Sequence, residues 1–200
     1  NMPSHCRGAG GKTVSSNYRE AILMAAKCAA QAHGYSGLNF RDLGEEVGIK
    51  SASIYYHFRS KAELGAAVAR RYWEDTSANM DALLAESAEP LQALREYPGL
   101  FRKSLANDNR LCLGSFLGAE FDDLPDEVKA EVQTFADINV AWLNKVLLAA
   151  DAVPPANSEK RARAIYAAVA GAQLMARSRA DIGLYDELIE SYREAGLLPG

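Results

Sequence analysis

Apolar residues recur at helical spacing along almost the whole chain, and no segment shows the sustained alternation of a half-buried strand. The first helix is predicted over 16–33, with Gly34 placed to end it. Its apolar face is formed by Ile22, Ala25, Ala26 and Ala29. The same periodicity in the segments that follow favours a chain built from helices alone.

Two short helices are predicted next. Asn39 is suited to cap the first, which carries Leu43 inward and ends at Gly48. The second is predicted over 51–58. Residues 17–58 therefore give a helix, a short helix, a turn that contains glycine, and another short helix. This is the helix-turn-helix arrangement, in which the second member of the pair enters the major groove of DNA.

The rest of the chain also has helical periodicity. Ser60 and Glu63 form a capping box for a long helix over 61–84. Pro98 and Gly99 are expected to interrupt the helix that follows. The remaining predicted helices cover residues 90–97, 100–106, 111–121, 125–151, 158–180 and 184–195. The predicted fold class is all-α, with about nine helices.

Composition and charge sharpen this picture. The chain has 200 residues, of which 48% are hydrophobic and 24% charged, which is typical of a globular protein and not of a disordered or fibrous one. The net charge is −4. Residues 1–71 contain ten Lys and Arg against five Asp and Glu, whereas residues 72–200 contain twelve against twenty-one. A basic first part on an acidic remainder favours an anionic partner for the first part alone.

The cysteine count and the hydropathy indicate the cellular compartment in which the protein is expected. Three widely spaced cysteines do not form the framework of a disulfide-stabilised secreted domain, so a reducing cytoplasm is expected. No apolar run approaches the roughly 18 residues of a transmembrane helix, and no membrane partner is expected. Residues 1–16 are polar and lack the apolar stretch of a signal peptide, so they are predicted to form a flexible tail.

Residues 39–64 read NFRDLGEEVGIKSASIYYHFRSKAEL and resemble the DNA-binding signature of the TetR family of transcriptional regulators. The resemblance runs from Arg19 to Leu64 and includes the lead-in GYSGLNFRDLGEEVGI. It implies a helix-turn-helix DNA-binding domain at 17–62 and an all-helical domain at 63–200 that binds an effector and dimerises. Lys50 and Ala52 stand where many members carry Ser or Thr and Gly, so the operator sequence cannot be carried over.

The resemblance also implies which residues face DNA: Lys50, Ser51, Ala52, Ser53, Tyr55, Tyr56, His57 and Lys61. Tyr56 and Lys61 are expected to contact phosphates, and Ser51 to cap its helix in place of Lys50. For Tyr55 and His57, packing against the domain is the alternative. Ile54 and Phe58 are expected in the core, and Arg7, Lys12 and Arg19 are candidates for non-specific attraction to DNA.

In the second domain, aromatic and sulfur-containing side chains are the candidates for an effector pocket, with ordinary core packing as the alternative. The candidates are Trp73, Phe101, Cys112, Phe116, Phe135, Trp142, Tyr166 and Met175. A segment rich in small residues and the last helix resemble the four-helix dimer bundle of the family. The predicted dimer residues are Ile165, Ala168, Val169, Ala172, Leu184 and Leu188.

These features predict a repressor that binds a palindromic double-stranded operator as a homodimer and is released by a small-molecule effector. One alternative is a regulator that senses electrophiles through Cys112, whose pKa Arg110 could lower. A more distant alternative is a small enzyme. All three histidines lie in the first 57 residues, far from Cys112 in sequence, and no nucleotide or metalloprotease motif is present. No cofactor or metal is therefore expected.

Overall fold

The computed structural model describes residues 14–200, with the backbone alone for residues 14–16. Within this range the chain forms nine α-helices and no strand, which confirms the all-α prediction. They are α1 Val14–His33, α2 Phe40–Val47, α3 Ser51–His57, α4 Lys61–Glu86, α5 Pro90–Ala106, α6 Leu113–Ala119, α7 Asp126–Ala149, α8 Pro155–Arg179 and α9 Ile182–Glu194. Short 3-10 helices follow α1 and α6. Most of the predicted tail lies outside the described residues.

Side-chain caps set the starts of the early helices, as the sequence predicts. The Asn39 side chain accepts the Arg41 N–H at 2.9 Å at the start of α2. Ser60 Oγ accepts the Glu63 N–H at 3.0 Å at the start of α4. The Glu63 carboxylate returns to the Arg59 N–H at 2.8 Å, so the capping box closes one residue before the cap.

α5 differs from its prediction because it continues through Pro98 and Gly99. Proline has no N–H to donate to the preceding turn, and a break was expected there. Packing outweighs this loss, since Leu94, Tyr97 and Pro98 are all buried on one side of the helix. The Tyr185 hydroxyl of α9 donates to the Pro98 carbonyl at 2.7 Å.

Four other helices begin two or three residues from their predicted starts, and of these α1 and α9 each begin two residues early. α8 starts at Pro155, three residues early, because a proline is tolerated at the first helical position. α6 starts at Leu113, two residues late. Cys112 holds the cap position in an extended conformation, with φ −61° and ψ 140°, and its thiol accepts the Ser115 N–H, so the helix begins one residue later.

The hydrophobic interior consists of two clusters. One lies within the body, here defined as α4–α9, and is built mainly from α5, α7, α8 and α9. The other is centred in the head, defined as α1–α3, around Ile22, Ile54 and Phe58, and continues into the body through Leu113 and Val128. Head and body therefore share this second cluster. None of the helices described is long and apolar enough to cross a bilayer.

Candidate functional site

Two glycines shape the turn between α2 and α3. Gly48 adopts a left-handed conformation with φ 77°, which glycine reaches without strain. The Ile49 N–H then donates to the Gly44 carbonyl at 2.9 Å. A Cβ on Gly44 would lie 2.8 Å from the Ile49 carbonyl oxygen, so a larger residue would push the turn apart. The turn holds α2 and α3 in the helix-turn-helix arrangement.

One face of α3 is anchored and the other is open. Ile54 and Phe58 are fully buried in the head core, which confirms their prediction. Tyr56 is 82% exposed and Tyr55 is 56% exposed. The other exposed residues of the predicted DNA-facing set are Lys50, Ser51, Ala52 and Ser53. The fold therefore presents six members of the set to solvent on α3 and its cap position, whereas His57 is half-buried and Lys61, also half-buried, begins α4.

The aromatic rings of α3 have different surroundings. The Tyr55 ring lies 4.6 Å from the Phe40 ring of α2, so it packs against the head while its remaining surface stays accessible. The Tyr56 ring makes an edge-to-face contact with the His57 ring at 5.3 Å and is otherwise largely exposed. The Tyr56 hydroxyl is therefore the group on α3 best placed to reach a phosphate.

The lysines at the two ends of this surface have different surroundings. Lys61 Nζ lies 3.4 Å from the Ser36 carbonyl and 4.6 Å from the centre of the Tyr35 ring, so it is folded onto the head. The prediction that Ser51 caps α3 is wrong. The cap position is held by Lys50, which makes no side-chain capping bond, and Ser51 is the first helical residue.

Sequence reasoning omitted two cations beside α3. Arg41 follows the cap of α2 and Arg59 follows α3, and both are exposed. Their position next to the motif was the only available signal. Arg19 is also exposed, with its guanidinium 4.9 Å from the centre of the Phe58 ring. Arg7 and Lys12 lie outside the described residues.

A pocket of about 270 Å³ opens where the head meets the body. Its apolar wall comes from α5 and α7, and its polar wall from α1, α4 and the end of α5. The lining residues are Lys27, Gln31, Tyr72, Asp75, Thr76, Asn79, Leu100, Phe101, Lys103, Ser104, Asn107, Cys112 and Phe135. Since Lys27 and Gln31 belong to α1, a molecule bound here would touch the head directly.

Three of the eight predicted effector residues line this pocket: Phe101, Cys112 and Phe135. Tyr166 packs behind them, with its ring 6.3 Å from Phe101 and 6.4 Å from Phe135. Burial raises the pKa of Tyr166 well above its usual range. The polar residues of the pocket, Lys27 above all, were not predicted from the sequence. The candidates were limited to aromatic and sulfur-containing side chains of the second domain, and Lys27 belongs to the first.

The structure places the other four candidates outside the pocket. Trp142 is buried in the body core and stacks on Tyr97 at 5.7 Å. Phe116 lies under the Arg177 guanidinium at 5.3 Å. The side chain of Met175 is 46% exposed on α8. These residues and Trp73 share helical spacing with the pocket residues, and helical spacing does not distinguish core or surface from cavity.

Trp73 instead belongs to a polar contact between α4 and α7. Its indole N–H donates to Glu131 Oε2 at 2.7 Å, and Arg70 Nε donates to Glu131 Oε1 at 3.0 Å. Burial by itself would raise the pKa of Glu131. The hydrogen bonds from Arg70 and Trp73 outweigh burial and lower this pKa below its usual value.

Cys112 is buried at the start of α6. Its thiol lies 2.9 Å from Ser115 Oγ and accepts the Ser115 N–H at 3.3 Å. Burial raises the pKa of this thiol. The Arg110 guanidinium donates to the Cys28 carbonyl of α1 at 3.2 Å. The hypothesis that Arg110 lowers the thiol pKa is therefore wrong.

The predicted dimer residues on α8 need correction. Ile165, Val169 and Ala172 are fully buried in the core of the subunit, so they cannot contact a partner. The error is one of face, because adjacent helical residues point about 100° apart. The outward stripe of α8 consists of Ala164, Ala167, Ala168, Gly171, Leu174, Met175 and Ser178. Leu184 and Leu188 of α9 are half-buried. Of the α8 prediction, only Ala168 belongs to this surface.

The turn geometry and the open face of α3 define a helix-turn-helix domain of the kind that binds DNA. Comparison with known proteins agrees. Residues 22–68 match the family described as "Bacterial regulatory proteins, tetR family". The chain is 31% identical over 123 residues to the transcriptional regulator AcuR of Cereibacter sphaeroides, a match that covers 60% of this chain and 56% of AcuR.

A second relative is the HTH-type transcriptional repressor AcnR of Corynebacterium diphtheriae, 36% identical over 75 residues, with 38% of this chain and 37% of AcnR covered. The matches thus span little more than half of one relative and over a third of the other. The crystal structure of a TetR-family transcriptional regulator from Agrobacterium tumefaciens superposes with a TM-score of 0.84 at 27% identity, covering 90% of this chain and 98% of that one.

The resemblance seen in the sequence is thereby confirmed: residues 22–68 match the DNA-binding domain of the TetR family, and the chain as a whole has the fold of a TetR-family regulator. The matches are to regulators of transcription, and they argue against the enzyme alternative.

Proposed function

We propose that the protein is a repressor that binds a palindromic operator as a homodimer. The observation that carries this proposal is the open face of α3, where Tyr56 and its neighbours are exposed while Ile54 and Phe58 hold the helix in place. A two-fold dimer would set two such helices about 34 Å apart, the spacing of successive major grooves. Phosphate contacts come from hydroxyl and cationic groups at the edges of this face.

The outward stripe of α8 supports the dimer. Near its middle Gly171 has open space around it, and Leu174 is 55% exposed beside it. A large exposed apolar side chain next to small residues allows a second helix to approach closely and bury it. The homodimer, with α8 and α9 of each subunit in contact, would present both heads on the same side of the assembly.

The pocket at the junction of head and body supports control by a small molecule. A ligand there would contact α1 through Lys27 and Gln31 and the body through Phe101 and Phe135. Such a ligand releases DNA only if it binds the free form more tightly than the operator-bound form.

A mobility-shift assay with DNA from around its own gene tests the proposal. The wild-type protein is expected to bind a palindromic fragment with an affinity that falls steeply as salt rises, because phosphate contacts release counterions. Lys50→Ala should lower the slope of that salt dependence by about one. Lys145→Ala on α7, an exposed lysine of the body outside the α8 stripe, is the matched control. Binding to no fragment, or binding independent of salt, would refute repression.

A second candidate function is the sensing of electrophiles, because Cys112 lines the pocket. A small electrophile that enters would meet the thiol, although burial disfavours its reactive thiolate form. In this case Cys112→Ser keeps operator binding but no longer releases DNA when N-ethylmaleimide is added. If the variant is released like the wild type, Cys112 serves only in packing.

A further inference from the structure

The charged groups that line the junction pocket are two cations and one anion. Lys27 and Lys103 bring two ammonium groups, and the side-chain amides of Gln31, Asn79 and Asn107 bring N–H donors. The one carboxylate in the lining belongs to Asp75. An anion can pair with the two ammonium groups and accept from the amide N–H groups, whereas a cation would meet two like charges.

Asp75 is shared between two cations. Its Oδ1 lies 3.0 Å from Arg71 Nε, and its Oδ2 lies 3.4 Å from Lys27 Nζ. The bond from Arg71 is the shorter one and is held within the same helix, α4. If Lys27 turned to another anion, Asp75 would therefore keep Arg71 as its partner. When Lys27 exchanges Asp75 for another anion, the Asp75 carboxylate is thus still paired with a cation.

Lys27 is suited to receive such an anion. Its side chain is 28% exposed, and its ammonium lies 5.4 Å from the centre of the Tyr72 ring. Partial burial reduces its hydration, which strengthens its interaction with an incoming negative charge. Lys103 is exposed at the rim of the same pocket and adds to the positive potential there.

The size and the apolar wall limit the rest of the ligand. The pocket volume of about 270 Å³ lies below the range of roughly 300–1,000 Å³ that holds drug-sized molecules. Leu100, Phe101 and Phe135 supply large apolar side chains to the lining. A fitting ligand is therefore short, with one anionic end and one apolar end.

We propose that the effector is a small organic anion, a carboxylate, whose charged group binds Lys27 in place of Asp75 and whose apolar part lies against Phe101 and Phe135. This inference rests on the proposed function of the pocket as the effector site. Because Lys27 belongs to α1, exchange of its partner replaces a contact between head and body by a contact to the ligand. The ligand thereby changes the contact between α4 and α1, and α1 is the helix against which α2 and α3 pack.

Calorimetric titration of the full chain with propionate, butyrate and benzoate tests the ligand class. The controls are propionamide, butyramide and benzamide, which keep shape and lose charge. At least one carboxylate is expected to bind, with its amide weaker by about tenfold or more, as for loss of a hydrogen bond between charged groups. The proposal is overturned if no carboxylate binds, or if each amide binds as well as its acid.

Variants then locate the anion. Lys27→Met should weaken the binding of the best carboxylate by about tenfold or more, and Lys27→Arg should retain most of it. Lys145→Met removes the same charge outside the pocket and should bind as the wild type does. Equal affinity in Lys27→Met and the wild type, or equal loss in both methionine variants, would overturn the role of Lys27. If Lys27→Met fails to fold, the affinity of Lys27→Arg and the acid–amide comparison still test whether the pocket binds a carboxylate.

These titrations contain no DNA, so the two proposals fail separately. Carboxylate binding that depends on Lys27, in a protein that binds no operator, would refute repression and leave the ligand class standing. Salt-dependent operator binding with no response to any of the three carboxylates would refute the ligand class alone.

Discussion

The carboxylate of Glu120, at the end of α6, accepts the backbone N–H of Tyr35 in the head at 2.8 Å. Gly34 beside it has φ 65°, and a Cβ there would lie 2.1 Å from Glu120 Oε1. At the opposite end of α6, Cys112 lines the pocket. One short helix thus connects the pocket to the turn that follows α1.

Glu120→Ala is expected to lower the free energy of unfolding by about 1–3 kcal/mol, because it leaves the Tyr35 N–H without its charged acceptor. Urea denaturation at neutral pH measures this change. Asp122→Ala removes a neighbouring exposed carboxylate and should change stability by less than about 0.5 kcal/mol. Equal stabilities of the two variants would show that the contact between Glu120 and Tyr35 contributes nothing.

Gly34→Ala should also destabilise the protein, by about 1 kcal/mol or more, for a different reason. Its backbone is in the left-handed region, and the added Cβ collides with the Glu120 carboxylate. In the double variant Gly34→Ala/Glu120→Ala the collision is absent. Its loss of stability should therefore be smaller than the sum of the losses in the two single variants. Strict additivity would argue against the close approach.

Tyr56→Phe should weaken operator binding by about three- to tenfold, because it removes a hydroxyl that reaches a phosphate. The free energy of unfolding should stay within about 0.5 kcal/mol of the wild type, since the ring is 82% exposed. Fluorescence anisotropy with labelled operator measures the affinity. Tyr192→Phe, in the body, is the control and should leave the affinity unchanged. Unaltered binding by Tyr56→Phe would remove this hydroxyl from the interface.

Glu131 gives a prediction about pH. Its folded pKa is lowered, so the unfolded chain binds more protons in acid. The stability it contributes is complete above the unfolded pKa of about 4.3 and is lost as pH falls through the lower folded pKa. Glu131→Gln should lack this contribution, so its free energy of unfolding should fall less steeply below about pH 5. Glu127→Gln, which is exposed on the same helix, should follow the wild-type slope.

Leu174→Glu tests the dimer surface. A carboxylate in the middle of the stripe would be buried against the partner, so the variant should be monomeric at concentrations at which the wild type is dimeric. Light scattering coupled to size exclusion measures the mass. Leu148→Glu on α7 is the control, because Leu148 is 43% exposed and lies outside the stripe. A monomeric wild type, or a dimeric Leu174→Glu variant, would contradict the proposed interface.

The sequence predicted the head well because its signals are local. The cap at Asn39, the left-handed glycine at Gly48 and the capping box at Ser60 each depend on residues a few positions apart. The helix-turn-helix and the core positions of α3 follow from them. The break expected at Pro98 was wrong because burial of α5 is decided by distant helices, and local propensity is weaker than such packing.

The pocket was beyond the reach of the same reasoning. Lys27 and Asp75 are separated by 48 positions and meet only because α1 packs on α4. The face of α8 was misassigned because an apolar side chain such as Ile165 and a small one such as Ala164 are both compatible with a core or a contact surface. Only the positions of α7 and α9 decide which side is covered.

The core shared by head and body has a consequence for engineering. Leu113 and Leu117 of α6 and Val128 of α7 belong to the cluster around Ile22, Ile54 and Phe58, so no surface separates the two parts cleanly. In a chimera that joins α1–α3 of this chain to the remainder of another regulator, the head would pack against different side chains in place of Leu113, Leu117 and Val128. To transfer the DNA specificity of this protein, α6 and the first half of α7 must therefore be transferred together with the head. The alternative is to substitute only the surface residues of α3.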